Sequence, residues 1–370
     1  MKKSANICYI FLTGILILSS LSLSAGNEQR VGQAGAPELL INPWARSSGW
    51  GGANTACIKG IEAFNLNVAG TAFTSKTDLI FAHTVWMQGS GVSINSFGFS
   101  QKAGETGVLS LVFMSMDFGS TEITTVDVPE GGLGEYHPAY TNIGISYAKA
   151  FSNSIYGGLV FKVINEGISD LSASGVALDA GIQYVTGIGT DKAGKKIRDN
   201  LRFGISMQNV GPTMRYRGDG MSFRGLVPPN QISMTVEQRS TEFELPSLIK
   251  IGISYEINLS QKVDTVNDKL SSDHRISTAV NFTSNSFTQD QYHAGIEYAY
   301  KEMFMVRGGY VYQTDINDKD VRMTNMSGLS AGFTIQIPLG KEKSKFALDY
   351  SFRDTNPFNG IHTIGARVIL

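Results

Sequence analysis

The chain has 370 residues, 42% hydrophobic and 17% charged, with 41 glycines and 10 prolines. Charge lies below the roughly 25% of an average soluble domain and glycine above the usual ~7%, which excludes a disordered chain and disfavours a helix-rich enzyme. Lysine and arginine total 31 against 32 acidic residues, a formal net charge of −1, so the chain lacks the basic excess that binds nucleic acid by counterion release.

Residues 1–25 read as a secretory signal peptide: Lys2 and Lys3 open it, Ile7 to Leu18 form a 12-residue apolar stretch, and Ser22 to Gly26 offer small residues for cleavage. The stretch is too short to span a bilayer as a helix, and no run near 18 apolar residues follows. Cleavage after Ala25 leaves 345 residues and, with Lys2 and Lys3 gone, 29 positive against 32 negative charges. Cys8 falls in the leader and Cys57 stands alone afterwards, so burial or a closed sheet must supply the stability that disulfides would otherwise give.

Residues 26–75 precede any strand pattern and are glycine-dense from Asn42 to Ala53, with Trp44, Arg46 and Trp50 and a following Asn67-Val68-Ala69-Gly70. A glycine-rich backbone folds compactly enough to fill a lumen, and we read this segment as a plug, with Arg46, Gly49, Gly51, Asn67 and Gly70 as its characteristic residues.

From residue 76 to 370 the pattern is all-β. Ile143, Ile145 and Tyr147 alternate with Gly144, Ser146 and Ala148; Leu201, Phe203, Ile205 and Met207 with Arg202, Gly204, Ser206 and Gln208; Ile249, Ile251, Ile253 and Tyr255 with Lys250, Gly252, Ser254 and Glu256. Apolar-out, polar-in alternation over about 10 residues is the signature of a transmembrane antiparallel β-barrel. Fourteen such spans occur: 78–87, 91–101, 106–118, 139–150, 153–165, 174–186, 200–210, 246–258, 274–284, 290–300, 303–313, 327–337, 345–353 and 361–370. Tyr147, Tyr184, Tyr255, Tyr298, Tyr300, Tyr310 and Tyr312 suit interfacial girdles. Asp179, Glu256, Glu297 and Asp349 fall on inward faces with Arg202, Lys250, Arg307, Arg353 and Arg367, where opposite charges satisfy one another or tie down a plug.

Long connections, Gly119 to Pro138, Gly211 to Leu245 and Thr314 to Met326, all follow odd-numbered strands and so share one face. Arg215, Tyr216, Arg217, Phe223 and Arg224 lie within ten residues of the second, a mixture typical of protein-contact hot spots. Pro228-Pro229 stiffens this loop. The first carries Glu122, Asp127, Glu130 and Glu135 and no lysine or arginine.

Taken in order, Leu40, Pro43, Ala45-Arg46, Gly49, Gly51-Gly52-Ala53, Asn67 to Gly70, Phe81 to Trp86, Met116-Asp117-Phe118-Gly119, Ile143 to Lys149, Ala173 to Gly181 and Asn209-Val210-Gly211-Pro212 resemble the PorV/PorQ family. Trp44, Trp50 and Val68 depart from its usual Asp, Met and Pro. The resemblance implies a FadL-like outer-membrane barrel of Bacteroidetes-like bacteria. It further implies a place in the type IX secretion system, with the translocon barrel, secreted proteins bearing C-terminal signal domains and a surface sortase complex as partners.

Catalysis finds little support. His83, His137, His274, His293 and His362 are scattered without metal-ligand spacing, and neither enzyme chemistry, a cofactor nor a metal is expected. Two functions remain: a non-enzymatic secretion component, favoured because the inward faces are rich in glycine, serine and charge, and a FadL-like channel for hydrophobic solutes. Both place the chain in the cell outer membrane.

Overall fold

The computed structural model describes residues 28–370 apart from 191–193, 195, 230, 260, 265–268, 319 and 341–343; the leader expected at 1–25 lies outside the described residues. Fourteen antiparallel strands close into one barrel. They are β1 (Thr77–Trp86), β2 (Val92–Ala103), β3 (Gly107–Asp117), β4 (Ala139–Ala150), β5 (Ile155–Ile168), β6 (Leu171–Thr186), β7 (Leu201–Val210), β8 (Leu248–Asn258), β9 (His274–Asn285), β10 (Gln291–Tyr300), β11 (Phe304–Tyr312), β12 (Met326–Pro338), β13 (Lys345–Thr355) and β14 (Ile361–Ile369). Each pairs with its sequence neighbours, and β14 closes on β1 with Asp78 opposite Ile369 and Val85 opposite His362. All fourteen expected spans are present, with ends displaced by no more than three residues.

Closure removes the sheet edges that lipid could not satisfy, and period-2 alternation then sorts the side chains. On β3, Val108, Val112, Met114 and Met116 are buried while Leu109, Leu111 and Phe113 point out. On β4, Ile143, Ile145 and Tyr147 are exposed around buried Gly144, Ser146 and Ala148. The exception is Leu201, expected outward but 7% exposed, because it and Arg202 are both buried at the start of β7. No described helix is long and apolar enough to cross a membrane; the strands do so, with their outward apolar side chains facing lipid.

The long connections do share one mouth. That after β7 is more ordered than a plain loop: Ser222–Val227 pairs with Ile232–Glu237 as a two-stranded ribbon, with Pro228 and Pro229 at its tip. At the opposite mouth the turns after β2, β4 and β10 are short, whereas the connection after β8 carries a small ribbon, Gln261–Asp264 with Lys269–Ser272. Tyr147, Tyr184, Tyr255, Tyr298 and Tyr300 stand near strand ends at this short-turn mouth, and Tyr310 and Tyr312 at the other.

The N-terminal residues thread the barrel from mouth to mouth in short helical turns. Gly35 N donates to Glu244 O (3.0 Å) beneath the long loops, and Ser75 Oγ donates to Leu370 O (3.1 Å) at the short turns. Barrel glycines let this backbone approach the wall: a Cβ on Gly309 would stand 2.3 Å from Trp50 O, and one on Gly181 2.2 Å from Asn67 Oδ1.

These faces predict opposite outcomes at adjacent positions. Ile251→Arg puts a charge on the lipid face, costing about 2–4 kcal/mol at midplane, and should lower the yield of heat-modifiable folded barrel in lipid vesicles. Gly252→Ser, whose Cβ meets Thr55 Cβ at 3.2 Å, should loosen the internal segment yet insert normally. Equal yields would refute the face assignment.

Candidate functional site

The lumen has two unlike walls. The charged one centres on Glu297 of β10, 1% exposed, whose carboxylate faces Arg307 at 2.9 Å, Arg275 at 3.1 Å and Arg46 of the internal segment at 3.4 Å. Trp50 Nε1 donates to the same carboxylate at 3.3 Å. Arg307 Nη2 donates to Thr334 Oγ1 (2.5 Å), the Thr334 hydroxyl donates to Asp349, and Arg367 lies 3.8 Å from Asp349 and 3.1 Å from Glu62. One chain of contacts thus runs across β9 to β14 and moors the internal segment at Arg46 and Glu62.

The other wall is apolar. Ile94, Met114, Met116, Tyr140, Ile164, Ala173 and Ala177 form a cluster at the long-loop mouth, closed by Ala36 and Leu39 from the internal segment and Met214 and Leu245 from the loop above. A second cluster continues deeper, with Ile80, Ala82, Val112 and Val160 packed on Trp44, Ile61, Phe64 and Val68. Val112, Met114 and Met116 are successive inward positions on β3. The expectation of inward faces rich in glycine, serine and charge holds on β1 to β6 as well, where Asp78, Ser96, Ser100, Ser110, Ser146, Lys162 and Asp179 are buried; what it left out is the apolar patch set among them. Between the walls, Lys162 Nζ meets Asp179 at 2.5 Å and donates to Asn209 Oδ1 at 3.0 Å.

The residues singled out in the N-terminal segment are the ones that fit it to the barrel. Besides Arg46, Gly49 lies where a Cβ would meet Gly332 Cα at 3.1 Å, and Gly51 takes a left-handed φ of 62° beside Ser330. The Gly51 carbonyl accepts from His293 Nδ1 at 2.7 Å. Fully buried Asn67 caps the turn Val68–Phe73 by accepting from Ala69 N, and its amide donates to Thr55 O and to Ile182 O of β6, both at 3.1 Å. A Cβ on Gly70 would stand 2.3 Å from Ile58 O.

The five loop residues are not brought together. Tyr216 is anchored, its hydroxyl donating to Glu166 Oε2 at 2.6 Å and its ring 5.8 Å from that of Phe243; burial and that carboxylate push the hydroxyl pKa up. Arg215 and Arg217 line a cavity of about 350 Å³ with Ser172, Ser174 and Glu242. Phe223 and Arg224 lie on the ribbon, Phe223 52% exposed. Among the described residues no group of three His, Cys, Asp or Glu side chains is placed to hold a metal ion.

A family model described as uncharacterised protein family UPF0164 matches residues 17–333. The chain belongs to that family. No curated protein matches it. Among solved structures, the Pseudomonas putida toluene transporter TodX is similar with a TM-score of 0.50 at 12% identity, covering 89% of this chain and 97% of that one. A Pseudomonas aeruginosa FadL homologue gives 0.46 at 10% identity, covering 87% and 96%. The likeness to TodX is one of fold: this UPF0164 chain is an outer-membrane β-barrel resembling FadL-type channels.

Sequence reasoning picked the inward charges of this UPF0164 barrel but not Lys162 or Arg275, the partners of Asp179 and Glu297. Both stand at alternating inward positions and were within reach of that pattern. Removing the shared carboxylate should be the most damaging single change in the charged wall. Glu297→Ala leaves three arginines facing one another and should destabilise the barrel by about 3–5 kcal/mol, read as a lowered thermal midpoint in detergent. Glu244→Ala, which breaks the exposed Arg30–Glu244 pair, should cost less than about 1 kcal/mol.

Proposed function

We propose that this UPF0164 barrel is a non-enzymatic outer-membrane channel for small hydrophobic solutes, with residues 26–75 as its plug and no cofactor. The observation that supports this is the apolar wall from Met116 to Val112, covered at the long-loop mouth by Ala36 and Leu39. A solute entering there replaces Leu39 and Met214 against Met114 and Ile164, and gains about 25 cal/mol for each Å² of apolar surface it removes from water. Methionine suits such a wall, being unbranched and able to repack around different shapes. Admission requires only the first part of the plug, residues 28–41, to move, since the part beyond residue 42 is moored through Arg46 and Glu62. TodX, a toluene transporter, has a similar fold.

A second reading, the PorV-like secretion component, draws on the ribbon. Phe223, Ile232 and Met234 are 52, 56 and 52% exposed and stand on one face, since Phe223 pairs with Val236, Gly225 with Met234 and Val227 with Ile232. Such a face could serve a protein partner such as the translocon, cargo or sortase complex.

One experiment separates them. Met114→Gln buries an unpaired amide in the apolar wall at about 1–3 kcal/mol and should reduce toluene uptake by whole cells about tenfold, with barrel assembly and secretion unchanged. Arg215, Arg217 and Arg224 changed together to alanine should leave uptake intact. Normal uptake in Met114→Gln, with type IX secretion or partner recovery lost in the triple variant, would reverse the choice.

A further inference from the structure

At the short-turn mouth, where the internal segment passes into β1 and β14 ends, the lumen holds a cavity of about 290 Å³ whose lining includes Cys57, Lys59, Arg202, Glu256, Arg275 and Glu302. Most of its charges are already matched. Glu297 has three arginines, Glu302 holds Arg275 at 2.5 Å, and Glu62 holds Arg367 at 3.1 Å.

Three cations of the lining are less closely matched: Lys345 and Lys59 have no ion pair among the described residues, and Arg202 has only a long one. Arg202 is 6% exposed, yet its Nη2 stands 3.6 Å from Glu256 Oε2, beyond hydrogen-bond length, and donates to the Asp199 carbonyl at 3.3 Å, while its Nε has no acceptor. Lys59, on the internal segment and open to the cavity, has no carboxylate within 4.0 Å among the described residues and rests over the Phe73 ring at 5.7 Å. Lys59 and Arg202 line the same cavity.

A buried N–H without an acceptor carries a desolvation cost that a ligand can relieve. The guanidinium fork matches two oxygens of a tetrahedral anion, and an ammonium adds a point charge that needs no fixed angle. We propose that this mouth binds a small oxyanion of the phosphate class, with Arg202 as the fork and Lys59 as the second cation. The apolar wall opens at the other mouth, so the anion and a hydrophobic solute occupy different ends of the lumen.

Cys57 lines the same cavity and is the one free cysteine among the described residues, which makes it a reporter. The mature barrel in detergent at pH 7 is treated with a maleimide, and labelling of the Cys57 peptide is read by mass spectrometry while inorganic phosphate is titrated against chloride at matched ionic strength. Phosphate should slow labelling saturably. Lys59→Gln, at an exposed position, and Arg202→Lys, which keeps charge but loses the fork, should each raise the half-protecting concentration about tenfold, the loss expected for one charge-assisted contact. A parallel arm uses short-chain phosphatidic acid: protection by inorganic phosphate assigns a free anion, and protection by the lipid alone assigns a headgroup. Equal labelling in phosphate, lipid and chloride, or protection unchanged in both variants, would overturn the proposal.

Discussion

Glu297 is the contact on which the interior depends. Taking a carboxylate out of water costs several kcal/mol, recovered only where its charge and lone pairs are met closely. Here Arg307 of β11 and Arg275 of β9 are its neighbours across the sheet, and Arg46 comes from the internal segment. The barrel wall and the segment therefore complete one another's electrostatics: without Arg46, Glu297 loses one partner, and without Glu62 the Arg367 guanidinium keeps only a 3.8 Å approach to Asp349. Glycine at Gly309 and Gly181 gives the segment the room to reach these positions. Segment and barrel are energetically one body at this depth, whereas residues 28–41 are held chiefly by apolar packing and by a few bonds to the loop after β7.

That division sets the character of the lumen. Apolar contacts are non-directional and can be exchanged for those of another apolar molecule at little net cost. A hydrogen-bonded ion network cannot be exchanged so easily, because each missing partner leaves a buried charge. The two walls thus hold one continuous chain by different means, apolar packing under the long loops and ion pairs beyond residue 42.

The strand set and its inward and outward faces were legible because side-chain direction along a strand has a period of two, fixed by covalent geometry. Once lipid lies on one side, that pattern is written into each strand separately. What was not legible depends on strands far apart in sequence. Periodicity places Asp179 and Lys162 both inward, but their meeting follows from the register of β5 on β6, Val160 opposite Asp179 and Lys162 opposite Ala177. The apolar half-wall was missed for a related reason: β3 is apolar on both faces, and its inward Val112, Met114 and Met116 were masked by outward Leu109, Leu111 and Phe113. The arginine-rich loop was read as one unit, yet Ile232–Glu237 alternates apolar and polar for six residues, and that signal marked one strand of a ribbon that separates Phe223 and Arg224 from Tyr216.

The two mouths differ in chemistry as well as in loop length. At the long-loop mouth, methionine and alanine side chains meet under a cover that also carries the exposed ribbon, so a solute reading uses the inside of that cover and a protein-contact reading its outside. At the short-turn mouth the same barrel presents Arg202 and Lys59 around a cavity of about 290 Å³. Arg46 and Glu62, which carry the mooring contacts, line that cavity as well, and the buried turn Ala53 to Ala56 packs beside them. A perturbation at the long-loop mouth therefore meets those contacts on its way to the short-turn cavity, and since they hold desolvated charge, their disturbance would register as lost barrel stability. Solute binding proposed at the long-loop mouth and anion binding proposed at the short-turn mouth can for that reason be tested apart, and a variant that changes either with the thermal midpoint intact reports on that mouth alone.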